Sequence, residues 1–393
     1  MITAGTIVGV AHDPGGARAI LPVLDLLRKR NFRVLAVVSG PAVEIAEREF
    51  VDIQLECIED SAALVWCLDK LAQCDCSAMI SAAGANNEIE HTMRLSARKL
   101  GIPIVGVLDW WWRYRDRFQR TLPEGIVETS FPDWICAIDD ISREGLIQDG
   151  FSPSQIVVTG AVNLESSLER LRRYSPQAAA IRTEIGLRPG ERCSVFFSEP
   201  YIRASDGQPW GGKDGYFTPD GTSTSGYTAH GILKETIAAL ASRKPPHEEL
   251  VLCVKPHPME HVPSLSAIIG ESDVPGIRVI LVDQLDPVKL CAVGEIFFGM
   301  VSIILLEAAL SGKPVFSVLI GHKSNSPNPS DYLRFAQQAY DRATLETGIE
   351  KWFTGQLPQF SSMDTIPIAG ATQNIVDIVK ECLSTGRPKD VSL

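Results

Sequence analysis

Lys255 and His257 stand in the tetrapeptide Lys255-Pro256-His257-Pro258, directly after the apolar run Leu250–Val254. The two prolines restrict the backbone around His257, so its side chain is held at a strand end at reduced entropic cost. An ammonium and an imidazole placed there suit a phosphate-bearing leaving group, by neutralisation or by hydrogen bonding. Further along, Gly299-Met300-Val301-Ser302 joins the apolar strand Ile296–Phe298 to a helix expected over Ile303–Ser311. The unpaired N–H groups of a helix start, together with the Ser302 hydroxyl, suit phosphate oxygens. Glu307 lies on an otherwise apolar stretch, where a carboxylate costs free energy unless something pairs with it. Ribose hydroxyls are one such partner, as they are for acidic residues in nucleotide folds.

The first half offers a different set. His12-Asp13-Pro14-Gly15-Gly16 follows the opening apolar strand Thr6–Ala11. Its glycines allow close backbone approach, and either His12 or Asp13 is a candidate base for a hydroxyl proton; Asp13 is equally a candidate helix cap. The dinucleotide and Walker spacings are both absent. Asn86, Asn87 and Glu88 follow the strand Ala78–Ser81 and open a helix, as caps or substrate contacts. Asp109-Trp110-Trp111-Trp112-Arg113-Tyr114-Arg115 follows Ile104–Leu108. Three successive tryptophans cannot share one core face, so at least one is expected to line a pocket, with Arg113 and Arg115 suited to phosphate or carboxylate. Ser198 and Glu199, after strand Cys193–Phe197, complete the candidates at strand ends.

These residues are positioned by short apolar runs alternating with amphipathic stretches, twice over. The first series is Thr6–Ala11, a helix Ala17–Arg30, Arg33–Val38, Ala78–Ser81, Ile104–Leu108, Trp134–Ala137 and Ile156–Thr159. The second is Cys193–Phe197, a helix Ala229–Arg243, Leu250–Val254, Val279–Val282, Ile296–Phe298 and Val315–Val318. This order predicts an α/β protein with two Rossmann-like parallel-sheet domains facing a cleft, with ligands gathering beyond the strand C-termini. The expected domains are 1–175, which holds the acceptor, and 176–368, which holds the nucleotide donor, with 369–393 forming a helix that crosses back to the first. A Gly-, Ser- and aromatic-rich loop over 203–228 is expected to be a lid, a binding loop or a loose insertion.

A length of 393 residues exceeds what one core usually serves. The 45% apolar and 22% charged composition is globular, and no run of about twenty apolar residues lacks charges, which predicts no membrane span. The net charge of −11 argues against nucleic-acid binding. One diphosphate, by contrast, needs only local donors. The start of the chain lacks signal-peptide features, so cytoplasmic residence is expected. The nine cysteines look like core residues; Cys74 and Cys76 stand too close, and without a second pair, for zinc, so no metal is expected.

Lys255–Pro258, then Val282-Asp283-Gln284-Leu285-Asp286-Pro287, then Ser302, Glu307-Ala308-Ala309 and Gly312-Lys313-Pro314-Val315 resemble the nucleotide-binding domain of GT-B glycosyltransferases. The similarity is to capsule and cell-wall enzymes with a His-Pro motif, such as polysialyltransferases and CDP-glycerol glycerophosphotransferases; UDP-N-acetylglucosamine 2-epimerases share the architecture. The resemblance implies that His257 contacts the nucleotide phosphate, that Ser302 and Glu307 bind phosphate and ribose, and that Gly160 closes the first domain. It also implies a nucleotide-sugar donor, a saccharide or lipid-linked acceptor, and no further cofactor. The expected reaction is metal-independent transfer of the donor's sugar, or a related phosphate-linked group, in surface polysaccharide or glycoconjugate synthesis. Epimerisation or hydrolysis of a nucleotide sugar is the first alternative, for which Asp13, Glu88, Asp109 and Glu199 are acidic candidates. A non-catalytic nucleotide or sugar sensor is the second.

Overall fold

The computed structural model describes residues 5–59, 63–84, 88–122, 125–199, 228–258, 260–271, 274–321, 335–357 and 366–385. Asn86, Asn87 and nearly all of the 203–228 loop lie outside these residues. The chain divides into two compact units, 1–166 with 364–393, and 167–363.

In the first unit the order is β1 (Thr6–Ala11), α1 (Pro14–Lys29), β2 (Arg33–Val38), α2 (Pro41–Glu49), β3 (Gln54–Cys57), α3 (Leu64–Gln73), β4 (Cys76–Ala82), α4 (Glu88–Lys99) and β5 (Ile104–Val107). A small antiparallel hairpin follows, β6 (Gln119–Thr121) and β7 (Val127–Thr129), then β8 (Trp134–Ala137), α5 (Asp140–Gln148), β9 (Ile156–Val158) and the start of α6 (Val162–Tyr174). The main sheet is parallel throughout, ordered β3-β2-β1-β4-β5-β8-β9. β1 reads Thr-Ile-Val-Gly-Val-Ala and is buried along its whole length, as a strand covered on both faces must be. On one side α1 buries Ile20, Leu24 and Leu27 among Ile7, Val34 and Ile80.

The second unit contains the rest of α6, α7 (Ala178–Glu184), β10 (Arg192–Phe197), α8 (Ala229–Arg243), β11 (Leu250–Lys255), α9 (Val262–Glu271), β12 (Ile277–Leu281), α10 (Pro287–Val293), β13 (Ile296–Gly299), α11 (Ile304–Ala309), β14 (Val315–Val318), β15 (Gln337–Ala339) and α12 (Arg342–Phe353). Its sheet is also parallel, ordered β12-β11-β10-β13-β14-β15. The last described helix, α13 (Ala371–Thr385), belongs to the first unit, where Ile375, Val376 and Val379 join the α1 core. Glu165 fixes its start by accepting the Thr372 N–H at 2.8 Å and hydroxyl at 2.6 Å. No described helix is long and apolar enough to cross a membrane.

Both sheets therefore reverse direction of growth beside their first strand, between β1 and β4 and between β10 and β13. In open α/β sheets the crevice at such a switch point is where ligands bind.

Candidate functional sites at the two switch points

At the first switch point the loop after β1 carries His12 and Asp13. Asp13 occupies the N-cap position of α1 with extended backbone, yet its side chain makes no capping hydrogen bond, so the cap expected of it is not formed. Its side chain is 40% exposed and lies 3.8 Å from His12 Nε2. The other ring nitrogen, Nδ1, is hydrogen-bonded to the buried Ser39 hydroxyl at 2.9 Å, which sets the ring's orientation. A side chain at Gly40 would place its Cβ 2.4 Å from the His12 ring, on a backbone with φ +50°, so only glycine seats this ring.

Beneath the loop lies Glu90, a residue not singled out from the sequence. It is wholly buried. Its Oε1 accepts the His12 N–H at 3.2 Å and its Oε2 the Gly84 N–H at 2.8 Å, tying the ends of β1 and β4 together. Burial drives its pKa up to about 7, reinforced by Asp13 and Asp109 and opposed by Arg94. Arg94, also fully buried, lies 3.9 Å from Glu90 and donates to the Ser81 and Ser130 hydroxyls and to the carbonyls of Ala82 and Arg117. Glu88, by contrast, is an exposed partner of Arg120 at the helix start.

Asp109 faces the same crevice but is engaged. Arg117 binds it at 2.9 Å and also donates to the Ala83 and Trp112 carbonyls. A Cβ at Gly15 would fall 2.4 Å from Asp109 Oδ2, so the glycine loop closes directly over this carboxylate; Gly16 packs against Ala82. Of the tryptophans, Trp111 is buried, Trp110 half-buried against it with ring centres 6.0 Å apart, and Trp112 exposed. Arg113 lies over Trp112 and pairs with Asp116, while Arg115 holds Asp149 and lies over Phe131. Neither arginine is grouped with His12 and Asp13 by these contacts. Gly160 is a packing position: with φ +102°, its Cβ would meet the Pro367 carbonyl at 2.5 Å, at the approach to α13.

At the second switch point, Ser198 and Glu199 follow β10 and are both buried. A single Glu199 oxygen accepts the N–H groups of Val301 at 2.6 Å and Ser302 at 2.7 Å. The donors expected to stand free for a phosphate are thus taken by the protein's own carboxylate. The helix behind them, α11, is also shorter than expected, at six residues. Burial pushes the Glu199 pKa up to about 7 against these backbone donors, with Glu260 nearby adding to the rise. The Ser198 hydroxyl donates to Glu260 at 2.9 Å, and Glu260 also accepts the His257 N–H at 3.4 Å.

Gly299 and Met300 shape this loop rather than line a ligand surface. Met300 is buried in the core, with its carbonyl taken by the Ser317 hydroxyl at 2.6 Å, and Val301 packs on the same core. A Cβ at Gly299 would crowd Leu305 and the Phe197 carbonyl. Glu307 has the partner its apolar setting demands, but it is a protein one: Arg170 stands 3.9 Å away. Arg170 also holds Asp286 at 3.2 Å, and Asp286 in turn accepts from Tyr174 and caps α10.

Lys255 and His257 sit at the end of β11, beside β10 in the sheet. Lys255 is half-buried and donates to the Asp283 carbonyl; burial lowers its pKa. Burial and the Lys255 charge push His257 down to about 4, so near neutral pH it is an uncharged imidazole. Of the two, Lys255 carries the cationic group and His257 an uncharged ring able to hydrogen-bond.

No protein-family description matches the sequence, and no curated protein sequence does so either. Solved structures do match. The UDP-GlcNAc 2-epimerase of Neisseria meningitidis, bound to UDP-GlcNAc, superposes with a TM-score of 0.66 at 14% identity, over 96% of this chain and 100% of its own. A glycosyltransferase of Rickettsia africae gives 0.61 at 12% identity, over 97% and 99%. HepE of Anabaena, in complex with UDP and glucose, gives 0.56 at 16% identity, over 96% and 100%. The chain thus shares the fold of these structures, a GT-B-type α/β fold with two parallel sheets.

Proposed function

We propose that this chain is an enzyme acting on a nucleotide-activated sugar, and that it transfers the sugar to an acceptor hydroxyl on a saccharide or lipid-linked glycan. The observation that carries this reading is Lys255 and His257, an ammonium and a neutral imidazole together at the end of β11 beside the second switch point. The fold shared with proteins solved with UDP or UDP-GlcNAc supports a nucleotide there. Lys255 balances the charge gathering on the leaving diphosphate, and His257 donates a hydrogen bond to it. Glu307 and the amides of Val301 and Ser302, being engaged within the protein, are left out of this assignment.

In the first unit His12, oriented by Ser39, takes the acceptor proton with Asp13 beside it. The acceptor oxygen bonds to the anomeric carbon as the bond from that carbon to the diphosphate breaks, and the nucleotide leaves with the bonding pair. Epimerisation or hydrolysis stays as a second reading because Asp13, Glu90 and Asp109 interact at one switch point. Transfer is preferred because Glu90 is sealed and Asp109 is paired, leaving Asp13 as the well-exposed carboxylate of the three.

Nucleoside diphosphates are expected to raise the unfolding temperature, since a ligand selective for the native state stabilises it. His257→Ala is expected to reduce that shift. A diphosphate beside His257 favours its protonated form, so binding takes up a proton and should tighten as pH falls from about 7 towards 5. A flat response to every nucleotide would sink the proposal. Nucleotide release or a new epimer from UDP-sugars without acceptor would select the second reading over transfer.

A further inference from the structure

At the N-terminal ends of the first sheet's strands, Cys74 caps the C-terminus of α3 and Cys76 opens β4. Asp75 between them has a left-handed backbone, with φ 53°. A fully extended link would hold the two Cα atoms about 7 Å apart, beyond the usual reach of a disulfide, and a left-handed residue between them shortens that span. Both cysteines pack against the same apolar cluster, which includes Cys67, Leu71 and Met79; the Cys74 thiol donates to the Leu71 carbonyl at 3.4 Å and the Cys76 thiol to the Ala78 carbonyl at 3.3 Å. The turn is anchored by the Thr6 N–H on the Asp75 carbonyl at 2.8 Å and by a register shift that passes over Ser77. Cys74 and Asp75 line a groove of about 580 Å³ with Arg28, Arg33 and Asp52, at the start of the strands and away from His12 and Glu90.

We propose that Cys74 and Cys76 are a reversible dithiol–disulfide pair that exchanges with low-molecular-weight disulfides entering this groove. The Cys74 thiolate attacks one sulfur of the small disulfide, forming a mixed disulfide and expelling one small thiolate. Cys76 then gives up its proton and attacks the Cys74 sulfur, closing the Cys74–Cys76 bond and expelling the second. The protein loses two protons and two electrons, and one small disulfide becomes two thiols. A ring closed across a single intervening residue is strained, which makes such a bond easy to reduce again.

The remaining cysteines set the contrast. Cys193 and Cys253 are also close, with sulfurs 3.7 Å apart, but both are buried on adjacent central strands. Cys57 is exposed, yet burial of its sulfur and the carboxylates of Glu47 and Glu56 push its thiol up. The neighbouring Cys76 thiol, aided by Lys70 and opposed by burial and Asp75, brings the Cys74 thiol down to about 7. In the groove Arg28 and Arg33 are themselves paired, with Asp25 and Asp52 and with Asp75.

The test is incubation of the full chain with glutathione disulfide at fixed ratios to glutathione, an acid quench, alkylation of the remaining thiols and peptide mass analysis. Cys74 and Cys76 share the tryptic peptide Leu71–Arg94. That peptide is expected to escape alkylation and lose two hydrogens, reversibly on reduction, in the wild type and in Cys57→Ser but not in Cys74→Ser. In a separate pulse of iodoacetamide near neutral pH, Cys74 should be labelled before the more exposed Cys57. Full alkylation of the peptide at every ratio, a glutathione adduct that Cys76 never resolves, or oxidation at Cys57 instead would overturn the proposal. The readout involves no nucleotide, so it stands or falls apart from the proposed function.

Discussion

The two switch points solve the same problem with the same residue type and opposite wiring. In each, a buried glutamate accepts backbone N–H groups where the first and fourth strands of a unit part. Glu90 uses both carboxylate oxygens, one for His12 and one for Gly84, and has Arg94 as a buried counter-ion. Glu199 uses one oxygen for both Val301 and Ser302 and has a carboxylate, Glu260, as its charged neighbour. The first carboxylate sits beside a buried cation; the second is held by backbone donors beside another carboxylate. Backbone donors that many α/β proteins offer to a ligand's anion at such a crevice are here taken, on both sheets, by the protein's own carboxylate.

The largest effect should come from removing the counter-ion. Arg94→Leu strips Glu90 of its cation and removes the guanidinium donor from the Arg117 carbonyl and from the Ser81 and Ser130 hydroxyls. Breaking a buried pair from one side costs about 3–5 kcal/mol. Urea unfolding should register a loss of that order, and a change of a few tenths would mean that the pair is not the anchor of the first switch point.

pH is the next probe. Both glutamates have folded-state pKa values raised to about 7, whereas an unfolded glutamate titrates near 4.3. The native state therefore holds more protons than the unfolded state between these limits, and stability falls as pH rises through about 7. Glu199→Gln should flatten part of that slope. If the slope is unchanged in both Glu199→Gln and Glu90→Gln, the loss of stability has another source.

How much of this could be read from the chain differs between scaffold and site. The central strands were legible because burial on both faces forces continuous apolar runs: Thr6–Ala11, Arg33–Val38, Trp134–Ala137 and Val315–Val318 end where they were expected to. The edge strands β3 and β15 were not, since Gln54–Cys57 and Gln337–Ala339 lie at a rim and carry polar residues. Strand-end reasoning singled out His12, Asp109, Glu199, Lys255 and His257, which the structure does place at strand ends beside the switch points. That reasoning named Glu88, next to Asn86 and Asn87 after the strand end, and not Glu90, whose polar Glu90-His91-Thr92 stretch with Arg94 four residues on has the pattern of a solvent-facing ion pair. Only the packing of α4 shows that both partners are sealed. Glu199 was visible as an acid at a strand end, but its partners lie more than a hundred residues away, and no local pattern encodes them.

The finest test of the comparison replaces each carboxylate by its amide. At Glu90 both oxygens already receive an N–H, so Glu90→Gln must turn an NH₂ towards either His12 N or Gly84 N. One buried donor is left unsatisfied, which costs about 1–3 kcal/mol. At Glu199 one oxygen already holds both the Val301 and Ser302 N–H groups, so the amide oxygen can keep the pair together, with Met300 N–H the remaining backbone donor nearby. Glu199→Gln should therefore change stability by less than about 1 kcal/mol, the worth of an ordinary net hydrogen bond. Parallel urea titrations of the two variants decide it. Equal losses would show that the number of oxygens engaged does not distinguish the switch points, and a larger loss at Glu199 would show that the loop from Met300 to Ser302 depends on a full negative charge.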